Sequence, residues 1–404
     1  MELFVFWSRD PFSLTGNKAP CMAQHFMQDK YVRNAENKPN RMGGGSENLA
    51  TTVAAKVNNF VLAEQQKMLR LHPQIQDSQG ELVEMSAEQF GSFVLEHYSA
   101  LHFNWVNDFA KYRDEHATGP LVAQLKANMD EISCDYIERF VRLHDVARVG
   151  AHCLIDQDLL LSPSDRMLLE RNRQQVVAGN PPFLQQVNLE WSSSFTNWYG
   201  LYDMPAHVLK AIDGKAVFDV GGFIGDTLPI LRALFPHSQI LSFEPDEHNF
   251  QQLQRLMPEE IAAGTILAFQ QGLADKKGKL TLTQQSTGVE SVATLLEGKK
   301  GLRTTEVDIS TVDAVVKERN LDVGLIKIDV EGFEPQVIQG ALETIKSQKP
   351  VLVIAIYHQP EEFYELKPFL EKLNLGYKFR MRRSCFCSLL CELVLIAYPE
   401  EAAS

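Results

Sequence analysis

The sequence predicts an α/β fold: a mostly parallel sheet with antiparallel late strands, preceded by a helical N-terminal region. Three observations predict it. Short apolar runs alternate with stretches of helical period through the C-terminal half, the pattern of repeated βα units. The first of these runs, Ala216 to Val220, leads into a glycine-rich turn, Gly221-Gly222-Phe223-Ile224-Gly225, and then a helix start. Polar residues gather at the carboxyl ends of the runs while their bodies stay apolar, and ligands of an open α/β sheet bind outside those ends.

The chain of 404 residues carries a net charge of −13, which argues against a nucleic-acid partner, since that needs stripes of Lys and Arg. Apolar runs such as Val351 to Ile356 are too short to span a bilayer, so no transmembrane segment is expected. The start has neither a basic segment nor an apolar run long enough for a signal peptide, so the expected location is cytoplasmic. Six cysteines, Cys21, Cys134, Cys153, Cys385, Cys387 and Cys391, are too sparse for a disulfide framework, and their spacing does not match a zinc pattern.

In chain order, residues 1–150 read as a helical region whose first 45 or so residues are poorly structured, with a flexible break at Met42-Gly43-Gly44-Gly45-Ser46. Glu47 to Leu71 is rich in helix formers. A longer helix is expected from a capping box at Ser86 and Gln89, through Phe90, Val94, Tyr98, Leu101, Trp105, Phe109 and Tyr112, to a stop at Gly119-Pro120. Another runs from Leu121 to Arg148. The aromatic stripe is expected to be core, and the helical region is also a candidate surface for homo-oligomers. Residues 151–210 form a helical and aromatic connector. Ser162-Pro163 opens a helix there, and Trp191, Phe195, Trp198, Tyr199 and Tyr202 either line a site or pack a seam.

Residues 211–404 are the α/β domain. Leu228, Leu231, Leu234 and Phe235 mark the first helix, capped by Asp226 or Thr227. Gln239 to Asp246 is a strand ending in a carboxylate, followed by a helix over Glu247 to Leu256. Thr265 to Phe269 is the third strand, with Gln271, Gly272 and Leu273 beyond it. Lys279 to Thr283 alternates as an antiparallel addition, Gly288 to Leu302 is a loop-like insert, and Thr304 to Ile309 is extended before a helix to Arg319. Gly324 to Ile328 is apolar and finishes in ionisable groups, Lys327, Asp329 and Glu331. A helix over Pro335 to Lys346, a strand over Val351 to Ile356, a helix over Glu361 to Leu373, and an antiparallel pair, Tyr377 to Met381 with Leu393 to Tyr398, complete it.

The turn does not match the dinucleotide fingerprint G-x-G-x-x-G, because Phe223 stands where that pattern needs glycine. Its amides and the helix start would still suit an anionic group. Glu244 lies about 20 residues beyond the turn, the offset at which an acidic side chain takes a ribose diol.

Four stretches together resemble the FkbM family: Asp219-Val220-Gly221-Gly222-Phe223-Ile224-Gly225-Asp226-Thr227, Phe243-Glu244-Pro245-Asp246, the run Leu325 to Glu334 with its Ile326-Lys327-Ile328-Asp329-Val330-Glu331-Gly332 core, and Ile356-Tyr357-His358. The resemblance covers about residues 155–399. It implies a Rossmann-like class I methyltransferase using S-adenosylmethionine, and methyl transfer to a hydroxyl or carboxyl oxygen of a sugar, glycan or natural-product acceptor. The turn from Gly221 to Gly225 would pass beneath the methionine end, anchored by Asp219, with Phe223, Asp226 and Thr227 around it. Glu244 would bind the ribose, Pro245 and Asp246 would border the adenosine, and Gln271, Gly272 and Leu273 would lie near adenine. There the chain departs from the family's usual A-L-S-D wording, with Gly272-Leu273-Ala274-Asp275.

Transfer to an alcohol benefits from a general base. His358 has the best intrinsic pKa; Asp329 and Glu331 are alternatives, and Lys327 would serve only if burial depressed its pKa. Asp329, which also borders the cofactor, Glu331 and His358 have the chemistry of a hard-cation site, but no metal is assigned. The competing readings are a non-enzymatic scaffold on a methyltransferase fold and a nicotinamide-dependent oxidoreductase.

Overall fold

The computed structural model describes residues 74–76, 82–84, 98–101, 106–147, 153–156, 162–177, 197–286, 291–294, 303–384, 389–390 and 392–400. The expected helix over Glu47 to Leu71, the first 45 residues, Trp191, Phe195, Cys21, Cys385, Cys387 and Cys391 lie outside them.

The chain divides into two compact units. One comprises residues 1–103 and 149–160 and contains two antiparallel pairs: β1 (Gln74–Gln76) with β2 (Leu82–Glu84), and β3 (Tyr98–Leu101) with β4 (Cys153–Asp156). This corrects the helix expected from Ser86 to Gly119. Tyr98 to Leu101 pairs instead with a segment over 50 residues away, a partner that local spacing does not reveal.

The other unit, residues 104–148 and 161–404, opens with α1 (Val106–Glu115), α2 (Thr118–Lys126) and α3 (Glu131–Ala147). Gly119 and Pro120 do not stop a helix. They lie in the first turn of α2, where proline's missing N–H costs nothing. The single helix expected from Leu121 is broken where Asn128 turns left-handed (φ 60°), and the Asp130 carboxylate accepts the Ser133 amide to start α3. Of the aromatic stripe, Phe109 and Tyr112 are core, buried among Phe140, His144, Phe363 and Tyr364.

Next come α4 (Pro163–Val177), a 3-10 turn (Trp198–Gly200), α5 (Ala206–Ile212), β5 (Ala216–Val220), α6 (Leu228–Leu234), β6 (Ile240–Phe243), α7 (Glu247–Leu256), α8 (Pro258–Ala262) and β7 (Ile266–Phe269). As its sequence suggests, α4 is capped at its start, where the Ser162 hydroxyl accepts the Asp165 amide and Asp165 accepts that of Ser162. After β8 (Gly272–Leu273), β9 (Gly278–Ser286), β10 (Ser291–Thr294), β11 (Arg303–Ser310) and α9 (Val312–Arg319), the chain returns through β12 (Val323–Ile328), α10 (Glu334–Gln339), α11 (Leu342–Gln348), β13 (Val351–Ala355), α12 (Pro360–Lys372), β14 (Tyr377–Arg383) and β15 (Leu393–Pro399).

Two expectations are corrected here. The insert from Gly288 is not all loop, because β10 pairs antiparallel with β9. The helix expected over Pro335 to Lys346 breaks at Gly340, where a Cβ would lie 1.9 Å from the Ala274 carbonyl oxygen and where the carbonyl accepts the Asp313 amide. The backbone just beyond β8 passes against the chain at this point.

The main sheet has the order β14-β15-β13-β12-β5-β6-β7, with β13, β12, β5, β6 and β7 parallel and β15 antiparallel to both its neighbours, β13 and β14. Its strands are buried on both faces, which is why they read as continuous apolar runs. The chain leaves β5 toward β6 and β7, then restarts on the other side of β5 with β12. That reversal opens a crevice at the carboxyl ends of β5 and β12. Among the described residues, no helix is long and apolar enough to cross a membrane.

Buried charge ties α3 to the sheet edge. The Arg382 guanidinium on β14 is 1% exposed; it donates to Asp130 at 2.6 Å and to Asp203 at 2.7 Å. Arg382 and Ser133 outweigh burial and hold the Asp130 carboxyl down at about 2. Arg382→Ala leaves the two carboxylates only the longer contacts of Arg380, at 3.7 and 3.6 Å, and is expected to cost about 3 kcal/mol, read as a lower urea midpoint with an unchanged slope. An unchanged midpoint would show that the docking of α3 does not depend on this pair.

Candidate active site

The site is built outward from Asp219, fully buried on β5. Strand register places Lys327 of β12 on one side of it and Ser242 of β6 on the other. Lys327 Nζ lies 3.1 Å from its carboxylate, the Ser242 hydroxyl donates at 2.7 Å, and the Thr227 hydroxyl donates at 3.1 Å. Thr227 thus stands at the N-cap position of α6, but its side chain braces Asp219 rather than capping the helix. Lys327 Nζ also donates to the Gly221 carbonyl at 2.6 Å. Burial disfavours its ammonium, but Asp219, Asp329 and Asp226 outweigh burial and hold its pKa above the ordinary value. A general base would need the opposite shift, and the contacts of Lys327 with Asp219 and the Gly221 carbonyl suit a buried group that anchors the turn.

The turn itself is pinned to β6, because the Gly221 and Gly222 amides both donate to the Phe243 carbonyl, at 3.0 and 2.9 Å. Gly221 has φ 81°, and a Cβ there would lie 1.7 Å from the Asp329 carbonyl oxygen. Only glycine fits, and the contact shows how closely the turn abuts the end of β12. Gly225 packs on Leu253 of α7. Asp226 is half-buried; burial, with Asp219 and Asp329 near, pushes its carboxyl up to about 6.

Glu244, buried at the end of β6, closes the turn from the far side. One oxygen accepts the Phe223 amide at 2.9 Å and the other the Asp246 amide at 2.8 Å. Burial pushes Glu244 up to about 8 despite those amides and Lys327, with Asp246 adding to the rise. Asp246 caps α7 by accepting the Asn249 amide at 2.9 Å. Pro245 faces Gly272, which pairs with Leu273 onto β11, and Gln271 precedes them. The structure thus brings Phe223, Glu244, Pro245 and Gly272 to one side of the turn.

On the other side stand Asp329, Glu331 and His358. His358 is 1% exposed, with Nε2 3.7 Å from Asp329 and 3.5 Å from Glu331, and Nδ1 3.0 Å from Glu334. Burial works against the imidazolium, but Glu334 and Glu331 outweigh it and lift His358 to about 10. The carboxylates around the imidazole thus favour its protonated form over the neutral form a general base would use. Burial and Asp329 push Glu331 up to about 7.

Three further participants lie outside the candidate site residues. Ser242 is an ordinary strand serine until register sets it beside Asp219. Tyr199 donates its hydroxyl to Asp329 from a turn in which Trp198 (φ 49°) and Tyr199 (φ 51°) are both left-handed. It is also part of the buried core, so the aromatic connector both packs and lines the site. Glu334, fully buried, accepts the Val330 and Gly332 amides at 2.9 Å each, and burial, with Glu334 beside it, pushes the Glu362 carboxyl up. The spacing of Glu334 from Glu331 was the visible signal.

Residues 219–379 match the family model for the methyltransferase FkbM domain. Among curated proteins, the chain is similar to hexuronic acid methyltransferase AglP of Haloferax volcanii, at 26% identity over 36% of this chain and 57% of that one. It is also similar to methyltransferase 1 of Beauveria bassiana, at 26% identity over 39% of this chain and 71% of that one. The matched segment thus spans less than two thirds of the first relative. Among solved structures, it is similar to methyltransferase FkbM from Methylobacillus flagellatus KT, with a TM-score of 0.47 and 15% identity over 77% of this chain and 65% of that one. Residues 219–379 are thus a domain of the FkbM methyltransferase family, the family its strand-end motifs resemble.

Proposed function

We propose that this chain transfers the methyl group of S-adenosylmethionine to a hydroxyl or carboxyl oxygen of a sugar, glycan or natural-product acceptor. The observation that carries this reading is Glu244: a buried carboxylate beside a glycine turn, each oxygen holding one backbone amide and retaining lone pairs. Two ribose hydroxyls are the donors such an under-solvated carboxylate needs, so the residues fit the cofactor. The turn from Gly221 to Gly225 would hold its methionine end, and Pro245, Gln271, Gly272 and Leu273 would border its base. When bound, the cofactor supplies a sulfonium methyl already reactive toward oxygen.

The protein's task is then to hold the acceptor oxygen in line and take its proton. Lys327 keeps its own proton and holds Asp219 and Gly221 in place. The proton acceptor belongs to the Asp329, Glu331 and His358 cluster, on the carboxylate oxygens. A sugar acceptor is supported by the name of the haloarchaeal relative, and the net charge of −13 favours a small-molecule or glycan acceptor over nucleic acid. With its sparse cysteines the chain suits the cytoplasm.

Calorimetry on the full chain should detect S-adenosylmethionine and S-adenosylhomocysteine; no binding to the folded protein would sink this reading. Glu244→Ala should weaken either ligand about 10- to 100-fold, the loss of charge-assisted hydrogen bonds.

A pH dependence follows as well. Methylthioadenosine carries the ribose and has no group that titrates between about pH 6 and 9. Glu244 sits at about 8 in the free protein, facing Asp246 and Lys327, and the diol prefers its ionised form. Affinity should therefore rise from pH 6 toward 8, by up to about tenfold per unit, and level off above. Glu244→Gln should flatten the profile. A slope that survives in this variant would show that another group controls it.

A further inference from the structure

Asp329 and Glu331 follow β12, and His358 lies just beyond β13, so the topology sets three metal-ligating side chains at adjacent strand ends. Their donor atoms all lie within 4.8 Å of one another. Donors bound about 2.1 Å from a common ion stand about 3.0–3.4 Å apart. The observed 3.5 and 3.7 Å from His358 Nε2 are wider by only a few tenths of an ångström.

The support behind these groups is what a metal ligand needs. Glu334 faces the far nitrogen of the imidazole, Nδ1, at 3.0 Å, which directs Nε2 toward Asp329 and Glu331. A carboxylate on the second nitrogen of a ligating histidine fixes its tautomer and raises its basicity. The same carboxylate accepts the Val330 and Gly332 amides, so one buried group orients both the ring and the turn that carries the other two ligands. Tyr199 holds the second oxygen of Asp329, leaving the first toward His358. The alternative trio, Glu334, Glu362 and His358 Nδ1, is buried throughout, and its carboxylates already accept the amides of Val330, Gly332, His358 and Gln359, so no side of it opens to further ligands. The Asp329 and Glu331 side chains keep 18% and 32% of their exposure, so the first trio opens to one side, where further ligands can enter.

We propose that Asp329, Glu331 and His358 Nε2 bind a first-row divalent cation beside the glycine turn. One nitrogen and two carboxylate oxygens suit manganese or zinc. The open side gives the cation a role in the proposed transfer, which rests on the preceding reading: it holds the acceptor through a hydroxyl or carboxylate oxygen, as a sugar acid offers. The binding itself does not rest on that reading.

Titration of the full chain with Mn2+, followed by electron paramagnetic resonance without any nucleoside, should show one bound ion per chain, displaced by Zn2+. Glu331→Gln and Asp329→Asn should each weaken it at least ~10-fold. Glu334→Gln, which retains all three ligands, should weaken it about 10- to 100-fold. Glu318→Gln, an exposed residue paired with Lys277, should bind as wild type. Circular dichroism identifies any variant that fails to fold; Glu331, a third exposed, is the safest substitution. The proposal is overturned if the folded wild type binds neither Mn2+ nor Zn2+, or if Glu331→Gln binds Mn2+ as wild type does. Methylthioadenosine binding on the same samples separates the two ideas. Nucleoside binding without cation binding rejects only this site, and cation binding without nucleoside rejects only the methyltransferase reading.

Discussion

A carboxylate with no exposure, Asp219, sits at the centre of the sheet, and the site depends on how it is compensated. Burying an anion is costly unless it is paired and hydrogen-bonded. Here the compensation comes from three directions: the Lys327 ammonium across one strand boundary, the Ser242 hydroxyl across the other, and the Thr227 hydroxyl from the start of the next helix. Because each partner comes from a different element, satisfying Asp219 fixes β12, β6 and α6 against β5. Lys327 extends the constraint by donating to the Gly221 carbonyl, which orients the turn.

The turn then divides two environments of different chemistry. Toward β6 is a single buried acid, Glu244, with its charge made costly by burial and relieved in part by two amides and Lys327. Such a group is tuned to neutral hydroxyl donors. Toward β13 is a group of carboxylates around one imidazole, where positive charge is what stabilises the arrangement. The proposed methyl donor on one side and the proposed cation with its acceptor on the other fit that polarity, and the two environments flank the point where strand order reverses.

Much of this was legible in the chain. The strands of the main sheet were readable because burial on both faces makes them continuous apolar runs, and the glycine turn because its geometry excludes side chains. Glu244 was readable because its distance from the turn is set by one helix and one strand. The helical segments were less so. Tyr98 to Leu101 carries aromatic and apolar residues at helical spacing, yet pairs with Cys153 to Asp156. The break at Asn128 depends on the Asp130 cap and on Arg382, more than 250 residues later.

By itself the sequence determined the α/β class, the place of the turn, and the acids and bases at the strand ends, because these follow from local periodicity and short spacings. Only the tertiary structure decided what those groups are. Lys327 and His358 read as candidate bases from their intrinsic pKa values, whereas carboxylates from other strands surround both and favour their charged forms. Ser242, Tyr199 and Glu334 acquire roles only when register and crossover bring them to Asp219, Asp329 and His358. A side chain's protonation and purpose are set by the charges within a few ångströms, and in a sheet of crossed-over strands those neighbours come from distant parts of the chain.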